Sequence, residues 1–442
     1  MSSMRLLLIT CLLAGSTRAY SPQTTSNGNP LRRTDASNVK FLVNQAIAAG
    51  AVNADGAAMI TADSDPLAAL QAAADAWSHV SSSTAKFAPL ETTSTVNDPS
   101  DGKNVIVFLD TPENRSIVGS ALAVTNLMFF ADGRIFETDI IFNPAELFST
   151  NLAPKTYDLQ SVAAHEMGHA LGASHSGLLA ATMFQATSAQ SNVQAGLSAD
   201  DRAYVTDFYP APSAADAYGT ISGKVSLTTG EPVQGALLVA IDPATGISVG
   251  GFSGASDGTY SLKVPRGSYL VYAEPADGPV FPADLYLPDS KVNASFQTGF
   301  FGGIASPQLL DVTSSQASAD IAVVAGAAPF NIEYLGTGRI AGSGDASVST
   351  GVSLLTAGKS IDLILSGPGL DSPVTEDQVR LIGPGLTIRP NSVRIDPRIT
   401  INGARPIRLT VDVAQRAEPL VVTVVVVKNS VAVAASGGLL VR

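Results

Sequence analysis

Residues 161–177, SVAAHEMGHALGASHSG, carry three of the four histidines in a chain of 442 residues. On a helix, His165 and His169 stand four positions apart and project from one face, so a single cation can take both imidazoles. Glu166 lies beside the first histidine and can reach a water on that cation without being a ligand itself. Gly172, three residues past His169, falls where a helix ends in a left-handed residue that glycine adopts at little cost. The chain can then fold back and deliver His175 as a third ligand. The stretch therefore demands a helix, a sharp exit and a return leg, with enough structure around them to keep three rings together. Three protein ligands leave one position open, which is the arrangement of a catalytic zinc rather than a closed structural one. The expectation is one zinc ion with Glu166 as general base. A bare HExxH is a weak signal, and an isolated helical histidine is ordinarily a surface group. HExxHxxGxxH fixes five positions and is far more specific. A metal site without catalysis is the other reading of the same residues.

Cysteine narrows the chemistry further. The only one, Cys11, sits in MSSMRLLLITCLLAGSTRAYS, where Arg5 precedes an apolar run from Leu6 to Ala14. That run is too short to span a bilayer, and Thr17 and Ala19 are small residues at a signal-peptidase spacing. Residues 1–19 read as a secretory signal cleaved near Ala19–Tyr20, which places the mature chain outside the cytoplasm. Removal of Cys11 leaves no disulfide and no thiolate ligand or nucleophile. Charged residues are 14% of the chain, against about a quarter in ordinary soluble proteins, and the net charge is −12. That balance argues against nucleic acid and anionic membrane surfaces as partners. No stretch after the signal reaches membrane-spanning length; LVVTVVVV (420–427) stops at Lys428 and reads as a buried strand.

Patterning divides the rest. Residues 20–37 form a short N-terminal segment, and 38–210 mix helices and strands. DPLAALQAAADAWSHV (65–80) puts Leu67, Leu70, Trp77 and Val80 on a helical stripe, with Pro66 in the first turn. NVIVFLD (104–110) reads as a buried strand. Residues 119–144 read as two strands around a turn at Asp132-Gly133. Asp158 suits the N-cap of the histidine helix, and Ser198 with Asp201 is spaced as a capping box. A Pro/Ala/Ser-rich linker is expected at 211–218, then short alternating strands at 219–327 as in a small β-sandwich. A Gly/Ser-rich linker at 328–345 leads to an immunoglobulin-like β-domain at 346–442, where IRLTVDV alternates apolar residues with Arg408, Thr410 and Asp412. The expected architecture is multidomain: an α+β domain followed by two all-β sandwiches.

With these residues in view, the segment resembles the metzincin metallopeptidases, whose HExxHxxGxxH is followed by a methionine turn. Met183 in AATMFQ fits that turn. Within the metzincins the match is nearest the matrixins: YDLQSVAAHEMGHALGASHS, with Ser176 directly after His175, is similar to their active-site helix. LSADDRAYVTDFY is similar to the helix that closes their catalytic domain, and AADAWSHV to their first helix. The resemblance implies a mixed sheet with an active-site helix, endopeptidase activity on protein or peptide substrates, and calcium sites. NADG and ADG, however, read as plain turns. Matrixins usually carry aspartate where Ser174 stands, and many bind a second zinc through further histidines. Here only His79 remains, an ordinary helical residue by its context, so that second zinc is not expected. Matrixin latency uses a propeptide cysteine, which cannot operate after position 11, and Tyr20 to Arg33 is short for a propeptide. SALAVTN could be the edge strand that aligns an extended peptide, and residues 183–196 the loop lining a specificity pocket. Residues 219–327 resemble a carboxypeptidase regulatory-like, transthyretin-like domain.

A reading from another class is a secreted surface or matrix-binding protein with a non-catalytic scaffold. It would require aromatic binding stripes on the β-domains, for which Tyr269, Tyr272 and Phe281 are the candidates.

Overall fold

The apolar run at Val105 becomes the middle of a six-stranded sheet. The computed structural model describes residues 22–254, 257–282, 292–313, 316–338, 347–397, 399–416 and 418–442. The signal-peptide reading and Cys11 lie outside the described residues. In the first sheet the strands are β1 (Arg32–Arg33), β2 (Leu42–Asn44), β3 (Glu91–Thr93), β4 (Val105–Val107), β5 (Ala123–Phe129) and β6 (Arg134–Phe142). Their order is β1-β6-β4-β2-β3, all parallel, with β5 added antiparallel along β6. Among the described residues β5 pairs with β6 alone, so one of its edges stays free.

Helices α1 (Pro66–Ser78) and α3 (Leu159–Ala170) share one core with one face of this sheet, and α2 (Pro112–Val118) packs on the other around Val105, Val107, Val118 and Ile141. Pro66 opens α1 and the Asp65 carboxylate caps Ala68 N. Its buried side is Ala69, Leu70, Ala73, Ala74 and Trp77. Leu67, placed on the apolar stripe by spacing, is instead 41% exposed. The small alanines bring α1 close to α3, and Trp77 Nε1 donates to Ala164 O at 2.9 Å. Helix α4 (Ala199–Phe208) begins with the Ser198–Asp201 capping box.

The Pro/Ala/Ser-rich stretch at 211–218 is more structured than a tether. Helix α5 (Ala214–Ala217) forms there, Ala211 N donates to Ser82 O, and Tyr218 already opens a strand. A first β-sandwich follows, of a five-stranded sheet on a four-stranded one, spanning strands Tyr218–Leu227 to Ile321–Val323. A second stacks a six-stranded sheet on a four-stranded one. It begins earlier than composition suggests: Tyr334–Thr337, inside the expected linker, pairs with Ser360–Ser366, while 339–346 lie outside the described residues. Leu420–Lys428 is a buried strand flanked on both sides. Arg408 is not on a solvent face; it is 8% exposed and paired with Asp362 and Asp396. Tyr269 and Tyr272 are fully buried, which removes two of the three aromatics a polymer-binding stripe would need; only Phe281 is exposed.

Candidate metal centre

Asp158 starts α3 by accepting from Ser161 N at 2.8 Å and Ser161 Oγ at 2.6 Å. The helix then runs without interruption through His165, Glu166 and His169 to Ala170, and Leu171 caps it. Gly172 takes φ +91°, and a Cβ there would lie 2.3 Å from Leu31 O. The turn therefore needs glycine both for its backbone conformation and for the close approach of the N-terminal segment.

Beyond it the chain returns and brings His175 to the other two. One ring nitrogen from each of His165, His169 and His175 lies within 4.8 Å of the others, and the ring centroids are 4.7 to 5.2 Å apart. Zinc–nitrogen distances of about 2.0–2.1 Å place tetrahedral ligands about 3.4 Å apart, so these rings need only a small inward adjustment to share one ion. Two of the outer nitrogens are already engaged. His165 Nδ1 is 2.8 Å from Thr182 O, and His169 Nδ1 is 2.8 Å from Ala173 O. Both contacts fix the Nδ1–H tautomer and turn Nε2 toward the common centre, as metal-bound histidines require. Gln23 Nε2 lies 3.1 Å from His169 Nδ1 and donates to Ala173 O at 3.1 Å. Burial, reinforced by the neighbouring His165 and His175, holds the His169 pKa well below its usual value, so the ring stays neutral. The donor set fits zinc.

Glu166 is 5% exposed, and its Oε2 accepts from Thr125 Oγ1 at 2.6 Å; the same hydroxyl is 2.9 Å from Glu166 O. Burial raises the carboxyl pKa, opposed by His165 and by the Thr125 hydrogen bonds. Thr125 belongs to β5 and was not singled out in the sequence, where nothing links it to a helix forty residues away. Gly168 was missed for the same reason. A Cβ on it would sit 2.2 Å from Met183 Sδ and 2.8 Å from Trp77 Cζ2, so its hydrogen lets the methionine lie directly against α3. HEMGH puts Gly168 three residues after His165, on the same side of the helix, and carries no further sign of that packing.

The return leg is tied to α4. Asp201 accepts from Thr182 N (2.9 Å), Met183 N (3.0 Å), Ser198 N (2.8 Å) and Ser198 Oγ (2.6 Å). Ser176 N donates to Met183 O, closing the loop. Ser174 Oγ, where matrixins usually have a carboxylate, is buried without a hydrogen-bond partner among the described residues. His79 sits at the C-cap of α1, outside the trio. The NADG turn is closed by Asn53 Oδ1 accepting from Asp55 N and Ala57 N, and ADG by Asp132 accepting from Arg134 N.

The matrixin family model matches residues 61–210. The match supports a matrixin-like domain over this stretch. The match supports a metallopeptidase at the level of the family, with zinc as its metal and protein or peptide as its substrate. It opens at Thr61, after β1 and β2, and leaves both sandwiches unmatched. No curated protein matches the chain. Solved structures offer distant likenesses, each with a TM-score of 0.16. One is the dioxygenase domain of a dioxygenase carbohydrate-binding protein fusion from Streptomyces sp. SirexAA-E, 18% identical over 26% of this chain and 85% of that one. The others are the major pilins SpaD of Corynebacterium diphtheriae and BcpA of Bacillus cereus. Both are 10% identical over 51% of this chain, and over 65% and 67% of theirs. Scores of that size carry no argument about function. Among the described residues no helix is long and apolar enough to cross a membrane.

Proposed function

We propose that the chain is a secreted zinc endopeptidase of the metzincin type. The observation that carries this reading is the convergence of three imidazoles, two of them tautomer-fixed, beside a buried glutamate. His165, His169 and His175 would hold the ion, and zinc would supply the Lewis acidity to polarise a peptide carbonyl and acidify a water. Glu166 takes the proton of that water and passes it to the leaving amine nitrogen. Its raised pKa makes it a better acceptor, and Thr125 holds the carboxylate in place. Met183 floors the site against Gly168. The free edge of β5, beginning two residues from Thr125, is positioned to pair with an extended substrate backbone.

The first sandwich serves as the regulatory-like module of the resemblance. Calcium, also part of that resemblance, finds its best counterpart at Glu137 and Asp139. They share one face of β6, both are 1% exposed, and each keeps one oxygen without a hydrogen-bond partner among the described residues. Zinc analysis of the purified protein, followed by digestion of a peptide library with and without chelator, tests the proposal. One equivalent of zinc and chelator-sensitive internal cleavage are expected. Zinc-bound protein that cleaves nothing would leave only the non-catalytic scaffold.

A further inference from the structure

The chain that returns from Gly172 runs between three units at once. Leu178, Leu179, Ala181 and Phe184 are buried in one apolar cluster with Leu237 and Phe252 of the first sandwich and Val422 and Leu439 of the second. Asp200 on α4 bridges two of the units, accepting from Ser176 Oγ at 2.6 Å and from Gly250 N in the first sandwich at 2.7 Å. Gly250 faces Leu178 so closely that a Cβ would lie 3.1 Å from Leu178 Cγ. Leu179 N donates to Ser436 O in the last strand of the second sandwich, at 3.0 Å. Arg442, directly after that strand, reaches Asn192 Oδ1 at 2.5 Å and Asn192 O at 3.2 Å, in the loop that follows the methionine.

We infer that both β-domains are structural parts of the metal centre, and that Gly250 and Arg442 are positioning residues for it. They act through the return leg: the sandwiches hold Ser176 to Phe184 in place, and this segment carries Met183, follows His175 directly, and supplies Thr182 O to His165. The inference rests on the peptidase reading only in treating His175 as a metal ligand. A spacer domain would touch the catalytic unit through the linker. Here a main-chain hydrogen bond joins the residue four positions after His175 to a strand more than 250 residues further on.

The test uses the full chain. In Gly250→Val the added methyls press on Leu178, and the double variant with Leu178→Ala restores the room. Zinc affinity is read by competition with a chromophoric chelator, and amide exchange of residues 176–184 is read on metal-stripped protein. Gly250→Val is expected to weaken zinc binding about tenfold and to speed exchange by a similar factor. Adding Leu178→Ala should return both to within about threefold of the parent, a rescue that general destabilisation does not give. Arg442→Ala should speed exchange in 190–196 and weaken zinc binding about threefold, since Gln194 of that loop donates to Thr182 O, and it decides the matter if Gly250→Val does not fold. Parent-like exchange in the folded variants overturns the inference. A parent that binds zinc but cleaves no peptide would defeat the peptidase proposal while leaving these readouts intact.

Discussion

The two legs of the metal centre are built in different ways. The helical leg, with His165, Glu166 and His169, is made by α3 itself, whose cap, hydrogen bonds and register are all local. The return leg, from His175 to Phe184, has no regular secondary structure and is held by Asp201, Asp200 and two sandwiches distant in sequence. A motif can specify the first leg because periodicity alone aligns its side chains. The second is specified by whatever surrounds it, and a motif records only its endpoints.

The largest effect should come from the chemistry that the helical leg carries. Glu166→Gln keeps the shape and the Thr125 contact but cannot accept a proton. Peptide hydrolysis should fall by about 10²–10⁴-fold with zinc content unchanged, measured by turnover and metal analysis. Parent-like turnover would remove Glu166 from the mechanism. Next comes the main anchor of the return leg. Asp201→Ala leaves Thr182 N and Met183 N buried without acceptors and strips the α4 cap, at a cost of about 3 kcal/mol in denaturant unfolding. Zinc affinity should drop with it, because Thr182 O holds His165. If stability falls and zinc affinity does not, the return leg is less coupled to the metal than its contacts indicate.

The third prediction separates the legs by pH. Burial pushes the Glu274 carboxyl up to about 8, and it accepts from Ser436 Oγ behind the Leu179 contact. Folded protein thus keeps a proton that the unfolded chain releases above its ordinary pKa. Stability from this group is full below about pH 4.5 and declines toward pH 8 by about 1.4 kcal/mol per unit at most. Amide exchange of 178–184 should therefore quicken over that window more than exchange within α3, and Glu274→Gln should flatten the trend. Equal responses in both segments would contradict the division. The smallest effect is expected at the local cap: Asp158→Ala should cost about 1 kcal/mol and leave the return leg's exchange unaltered.

The same division explains what could be read from residues alone. The α3 N-cap at Asp158, the α4 capping box, the β5–β6 hairpin and the buried run at 420–427 were legible because each signal lies within a few residues of what it determines. Leu67 shows the limit of periodicity, since Leu70 and the alanines of α1 are buried while Leu67 faces out. Thr125, Gly168 and Gly250 carry no sequence mark, because each matters through a partner that only the fold brings near. Tyr334–Thr337 was hidden by Gly/Ser composition, although pairing with Ser360–Ser366 makes it a strand. Arg408 alternates as an outward residue should, yet two aspartates draw it inward.

One strand has a consequence for handling the protein. Leu420–Lys428 joins eight uncharged, mostly β-branched residues with no proline, and in the native sheet both its edges are covered. Freed from those neighbours, such a segment is a template for cross-β stacking. Heating or nicking that opens the second sandwich should therefore end in irreversible precipitation rather than in a soluble, truncated catalyst.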